Sequence, residues 1–484
     1  MKKTLILFLA VLCAAAMQAR IAMGPLFSDG MVLQQKEKVN IWGWAAAGAK
    51  VSITTSWGAK ATAQADAKGV WRTKVQTPEA TFSPQTVQVA SGRDKVQISD
   101  VLIGEVWFAS GQSNMEMPLK GFASCPTEGS NEAISMAGKY SGKVHFVTVP
   151  TSPQKQPTDT VTVKWQDCSA RTAGSFCAAA YFFGIHLQES LGVPVGLINS
   201  SIGATRVEGW TPEELLRTYP DVDLSEKVFK DVGNIPDPYN IQRDLPLVFY
   251  NGMIHPFVGY GIKGFLWYQG EANVTYQADK YAERFTNMVR EWRQRWGMGD
   301  LPFYYVEIAP YEYWWAKPPI YSCLLREQQL KAQSMLPNMG MVCSNDLVHD
   351  YEYWQIHPCM KKEVGDRLCY WALRKAYGIE GVHCESPTYK SMEIEGNKIM
   401  ITFDNAEDGL DRNVKIEGFE ICGPDSVFHK AHVGTSGNRV SVQANEVKEP
   451  VAVRYCFKPW QLGNLKSNYG LPVIPFRTDD FPLK

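Results

Sequence analysis

Gly104-Glu105-Val106-Trp107-Phe108-Ala109-Ser110-Gly111-Gln112-Ser113-Asn114-Met115-Glu116-Met117-Pro118 is the stretch on which the reading of the chain turns. Its apolar run stops at Gly111, and a serine follows two residues later. The pattern predicts a buried strand that ends by presenting Ser113 at the rim of a sheet. Such a rim can display a nucleophile or simply carry a polar turn. The rest of the chain must therefore supply a base, an oxyanion site and a binding surface.

Around this stretch, residues from about 101 to 384 alternate between strand and helix signals. Apolar runs fall at 102–109, 144–149, 195–200, 262–268, 302–308 and 339–344. Between Ala278 and Trp296, Tyr281, Phe285, Met288, Val289, Trp292 and Trp296 recur at helical spacing, and Gly297 can cap the end. Further helices are expected over 175–191 and from Pro358 to about Tyr377. The alternation predicts an α/β unit with a mainly parallel sheet sandwiched by helices. Short alternating strands with glycine turns over 20–100, and again over 385–484, predict β-sandwich-like domains on either side.

The 484 residues carry 45% apolar and 20% charged side chains and a net charge of −1, so no basic face argues for nucleic acid or anionic lipid. Lys2 and Lys3 precede a short apolar run and then small residues, which predicts a signal segment over 1–19 and an exported, periplasmic or secreted protein. No later run approaches membrane-spanning length. Ten cysteines follow Cys13, none in a C-x-x-C pair, so neither a metal nor any other cofactor is expected. Disulfides are compatible with export, and their connectivity stays open.

In an open parallel sheet the ligand site lies beyond the carboxyl ends of the strands. Gly111-Gln112-Ser113-Asn114 follows the first predicted strand, Asn199 to Thr205 with Gly203 the third, and Gln269-Gly270-Glu271-Ala272-Asn273 the fourth. Asp346 and Ile356-His357-Pro358 follow the last. Together they suit acyl transfer. Histidine, with an unperturbed pKa near about 6.5, is the usual base for a serine. The backbone N–H groups of Ser113 and Gly203, and a carboxamide from Gln269 or Asn273, are candidate oxyanion donors. Gln112, Glu271 and Arg206 are candidate substrate contacts, with Glu271 better suited to holding a loop.

Gly-Gln-Ser-Asn-Met at 111–115, Trp-Tyr-Gln-Gly-Glu at 267–271 and Ile-His-Pro-x-x-Lys at 356–361 resemble the blocks of SGNH-type carbohydrate esterases, above all sialate O-acetylesterases. The resemblance extends to the opening at 25–34 and the close at 464–479. It implies an SGNH-hydrolase-like fold, Ser113 as nucleophile, His357 as base, and Gly203 with Gln269 or Asn273 in the oxyanion hole. It also implies an acetylated glycan, notably an O-acetyl sialic acid, as substrate. The wider group often carries an acid two or three residues before the histidine, and here those positions are Gln355 and Trp354. Asp346 is the first candidate for an orienting acid, ahead of Asp350 and Glu352. Two other readings stand beside this one: an acetylesterase of plant polysaccharide such as xylan, and a glycan-binding protein that has lost catalysis. The G-x-G-x-x-G match at 259–264 precedes a strand instead of opening a helix, which excludes dinucleotide binding there.

Overall fold

A computed structural model describes residues 20–230, 232, 243–318 and 320–482; the expected signal segment, 1–19, lies outside the described residues. The chain is a mixed α/β protein built on one large mixed sheet, with further β-sheets at both ends. The central strands are β1 (Asp94–Gly111), β2 (Val144–Thr148), β3 (Val195–Ser201), β4 (Gly264–Tyr268), β5 (Phe303–Val306) and β6 (Met339–Val342). They lie in the order β2-β3-β1-β4-β5-β6, and each neighbouring pair is parallel. The chain winds from β1 out to β2, returns through β3, then crosses to β4. The carboxyl end of β1 therefore sits where the winding reverses, the place at which such sheets open a crevice.

Side chains on these strands alternate between two cores. Val106, Phe108, Phe265, Trp267, Phe303 and Tyr305 join one core with helix α2 (Tyr281–Trp296). Trp107, Ala109, Leu266, Tyr268, Tyr304 and Val306 join the other with α1 (Ala178–Leu191) and α4 (Lys361–Trp371). The period-2 alternation of a strand thus serves both faces at once, which is why the runs read as continuously apolar. On α2, Tyr281, Phe285, Met288, Val289, Trp292 and Trp296 are all buried, each stabilising the fold by about 1.5–3 kcal/mol. Helix α3 (Tyr321–Gln333) packs beside α2 and β6.

β1 has 18 residues and runs from the N-terminal strands into the centre of the main sheet. Within it Asp100 takes φ +54, at a register irregularity against the strand Thr81–Ser91. The buried Glu105 on β1 accepts hydrogen bonds from Gln34 (2.9 Å), Gln35 (2.7 Å) and Tyr377 (2.8 Å), tying the N-terminal strands to the end of the central region. At the other end, buried Arg326 on α3 donates to the carbonyls of Cys456 (3.2 Å) and Lys458 (2.7 Å). The strands from Thr388 to Arg477 form two four-stranded sheets around a separate core that includes Ile399, Phe419 and Tyr455. The ten described cysteines are buried free thiols, so no disulfide forms among them.

Candidate active site

The end of β1 is locked before the serine appears. Gly111 has φ +139, and a Cβ there would lie 2.2 Å from the Tyr268 carbonyl, so only glycine fits. The Gln112 N–H donates to Tyr268 O at 2.9 Å, and Ile202 N–H to Gly111 O at 3.2 Å. Both neighbouring strands thereby hold the turn. Ser113 opens a single helical turn, Ser113–Glu116. Its own N–H is among the first of that turn, which lack intrahelical acceptors. The Ser113 hydroxyl has no hydrogen-bond partner among the described residues and lines a cavity of about 600 Å³.

The same cavity is lined by Gln112, Gly203, Arg206, Glu271 and His357, so six of the sequence-selected residues meet in one place. Gly203 stands against the serine: a Cβ on it would lie 3.0 Å from Ser113 Cβ. Its N–H, however, donates to Glu116 Oε2 at 2.6 Å instead of facing the cavity unengaged. Burial pushes the Glu116 carboxyl above its ordinary value, while the Gly203 N–H and the Arg243 charge pull it back.

Gln269 and Asn273 differ from the expectation for oxyanion donors. Gln269 Nε2 donates to Thr205 O (3.0 Å) and Asn273 Oδ1 (2.8 Å), and its Oε1 accepts from Tyr281 (2.8 Å). Asn273 Nδ2 donates to Glu208 Oε2 at 3.1 Å, while its Oδ1 also accepts from Val207 N–H at 3.0 Å. Both amides are buried and bonded within the protein, so neither offers a donor to the cavity. What they do is hold the segment 203–207, which carries Gly203 and Arg206. Gln112 Oε1 similarly accepts from the Gly270 and Ala272 N–H groups, both at 3.3 Å.

The loop bearing His357 is fixed from both ends. Buried Glu352 accepts the N–H groups of His349 (2.8 Å) and Cys359 (2.9 Å), closing the loop around the histidine. The His357 N–H donates to Gln355 Oε1 at 3.1 Å, and its ring meets Phe122 edge-on with centroids 5.3 Å apart. Among the described residues no carboxylate stands within 4 Å of a His357 ring nitrogen, so none is placed to orient the ring. Asp346 is a correction in particular. Its oxygens accept a two-pronged bond from Arg367 (2.7 and 2.8 Å) and pair with Lys466 at 2.7 Å. Burial alone would raise its pKa, but those two cations outweigh it and hold it low. Asp350 is exposed, and Glu352 is committed to the loop backbone.

A buried network beneath the serine and histidine was not anticipated. Lys361 Nζ, at the start of α4, donates to Asn114 Oδ1 (2.8 Å) and to Pro358 O (2.7 Å). Asn114 Nδ2 donates to Glu271 Oε1 and to Ile356 O, the latter at 3.0 Å. Asn114 follows Ser113, and Ile356 and Pro358 flank His357, so the network fixes the two loops against each other. Burial lowers the Lys361 pKa to about 8. Burial, reinforced by the Lys361 charge, pushes His357 down to about 4. Burial raises Glu271, whose Oε2 has no hydrogen-bond partner among the described residues. Asn114 and Lys361 belonged to the sequence blocks that stood out, yet a block does not say which member touches which.

Residues 103–374 match the family model described as carbohydrate esterase, sialic acid-specific acetylesterase. Over 93% of its length the chain is 28% identical to the human sialate O-acetylesterase, covering 91% of that protein. It is likewise 28% identical to the Pongo abelii sialate O-acetylesterase, over 77% of the chain and 74% of that protein. The solved structure of a carbohydrate acetylesterase from Xanthomonas citri superposes with a TM-score of 0.83 at 33% identity, covering 95% of this chain and all of that one. A cavity joining a serine and a neutralised histidine at the carboxyl end of a parallel sheet agrees with that grouping, and the chain belongs to the sialic acid-specific acetylesterase family of carbohydrate esterases, a family of carboxylic ester hydrolases.

Proposed function

We propose that the chain removes O-acetyl groups from sialic acids through an acetyl-Ser113 intermediate on an SGNH-like framework. His357 takes the Ser113 hydroxyl proton as the oxygen attacks the acetyl carbonyl. The developing oxyanion is met by the N–H groups of Ser113 and Gly203, the acetyl oxygen taking the place of Glu116 on the latter. His357 then gives its proton to the departing sugar oxygen. Water, deprotonated by the same imidazole, attacks the acetyl-enzyme, and acetate leaves as Ser113 regains its proton. The carboxyl that often orients such a histidine has no counterpart in this reading. Packing against Phe122 and the anchored loop take over the orienting.

The observation that carries the choice of substrate is Arg206. It lines the cavity with Ser113 and His357, lies 4.1 Å over the Tyr276 ring, and has no acidic partner among the described residues. An unpaired, preoriented guanidinium suits a substrate carboxylate, which sialic acid has and xylan lacks. Gln112 and Glu271 line the wall around it, with Glu271 also anchoring Asn114. Arg206→Met is expected to raise KM for an O-acetyl sialic acid about tenfold or more. Hydrolysis of acetylated xylan fragments should change less than about twofold, since no carboxylate is involved. Equal losses on both would remove the carboxylate role.

The acidic limb of kcat/KM reports the base in the free enzyme. A base works unprotonated, so activity falls as pH drops through its pKa. With His357 near 4 by burial and the Lys361 charge, kcat/KM should stay level from neutrality down to about 5 and fall below that. This differs from the rise near about 6.5 expected of an unperturbed histidine. A pH profile of acetyl ester hydrolysis checks it, and a midpoint near 6.5 would contradict the burial of this base.

The domain limits proposed are 20–100, 101–384 and 385–484, with the middle unit carrying the chemistry. Export is proposed on the leader of 1–19; no described helix is long and apolar enough to cross a membrane.

A further inference from the structure

Beside the cavity, the protein leaves large aromatic rings in water. Trp314 is 61% exposed, Trp354 56%, Tyr353 42% and Trp315 41%. Single exposed apolar residues are ordinary, but a contiguous set marks a binding surface. These are contiguous. Trp314 and Trp315 have ring centroids 5.4 Å apart, and Trp315 lies 5.3 Å from Tyr311. Tyr353 lies 5.2 Å from Trp354 and 6.2 Å from Trp460. Backbone bonds join the three segments: Glu312 N–H to Tyr353 O at 3.4 Å, and Tyr311 N–H to Pro459 O at 3.0 Å. The band is also continuous with the cavity. Trp315 lines it together with Ser113 and His357, and Trp354 stands three residues before His357 on the same loop.

We propose that this band is a glycan platform, on which pyranose rings linked to the acetylated residue stack while that residue occupies the cavity. The preferred substrate is then an acetylated sugar within a chain, not a free monosaccharide. The faces of indole and phenol rings carry partial negative charge and attract the polarised C–H groups of a pyranose face. They bury apolar area with little loss of conformational freedom, because few torsions are fixed. The chain on offer is either a free oligosaccharide or the outer arm of a larger glycan, and both present the same pyranose faces. Because three segments contribute, including one from the C-terminal part at 459–460, the platform also gives that part contact with substrate.

The proposal rests on the esterase reading above, so its test separates the two. Wild type and the double variant Trp314→Ala/Trp354→Ala are compared on p-nitrophenyl acetate, a free O-acetyl sialic acid, and the same acetylated residue at the end of a trisaccharide. Both tryptophans point largely into solvent, and an unchanged Tm verifies the fold. The wild type should show a KM several-fold lower for the trisaccharide than for the monosaccharide. The variant should raise the trisaccharide KM about tenfold and leave the other two substrates within about twofold. A trisaccharide KM equal to that of the monosaccharide in wild type, or unchanged in the variant, overturns the platform. If wild type cleaves the small ester but neither sialoside, the sialic acid reading fails. Acetylated xylo-oligosaccharides of rising length then pose the same question, and a KM independent of length again overturns the platform. Deacetylation of glycans on mucin, lost in the variant while the free trisaccharide is still handled normally, would assign the band to protein recognition and likewise overturn it.

Discussion

Ser113→Ala is expected to lower hydrolysis of any acetyl ester by about 10⁴-fold or more, with kcat bearing the loss and the protein remaining folded. The two halves of that result have separate causes. Removal of a nucleophile ends the acyl-enzyme route and leaves only what binding and oxyanion donors give to direct attack by water. The fold should not respond, because the Ser113 hydroxyl bonds to no described residue. The framework around it is built from Gly111, from backbone bonds to Tyr268, and from Asn114. Circular dichroism and Tm should therefore match wild type. A variant that unfolds would point to a structural serine, and one that keeps full activity would place the chemistry elsewhere.

Lys361→Met is expected to have the second largest effect, and on two quantities at once. Methionine approximates the length of the stem but donates nothing. Asn114 Oδ1 and Pro358 O would each lose a buried donor, and Glu271 would lose the cation that tempers its burial. Each unsatisfied buried acceptor costs about 1–3 kcal/mol, so unfolding free energy should fall by about 2–5 kcal/mol after relief of the lysine's own desolvation. Activity should fall about 10²-fold, because the loops carrying Ser113 and His357 lose their common anchor and small misplacements are costly. The distinguishing readout is the pH profile. Lys361 holds His357 down, so its removal raises the histidine pKa, and the acidic limb should move up from near 4. Lost stability with an unmoved limb would reduce Lys361 to a structural role.

Much of the framework was legible in the sequence because its strands are short apolar runs closed by glycine or polar residues. The six predicted runs correspond to β1–β6, and the periodic stretch 278–296 contains α2. Helix α3 escaped notice. It buries Arg326 and Gln329, and those polar side chains break the apolar stripe while spending their bonds on Cys456, Lys458 and Gln269 carbonyls.

In the site, Ser113, Gly203, Arg206, Glu271 and His357 line one cavity, and the loops after the strand ends were the signal in the sequence that pointed to it. Their partners were not legible. Nothing in Gln269 or Asn273 as letters says that their amides are already bonded. Asp346 follows the last strand, where an orienting acid was expected, but Arg367 from α4 and Lys466 from the C-terminal part claim it. Glu116 on the Gly203 N–H and Lys361 beneath Asn114 are likewise contacts made in space by residues distant in the chain.

The most direct test is acetate release from a defined 9-O-acetyl sialic acid by wild type and Ser113→Ala, measured side by side. Release by wild type, with the variant reduced about 10⁴-fold at unchanged Tm, is the predicted result. Release by both proteins at similar rates, or by neither while acetylated xylan is cleaved, would contradict it.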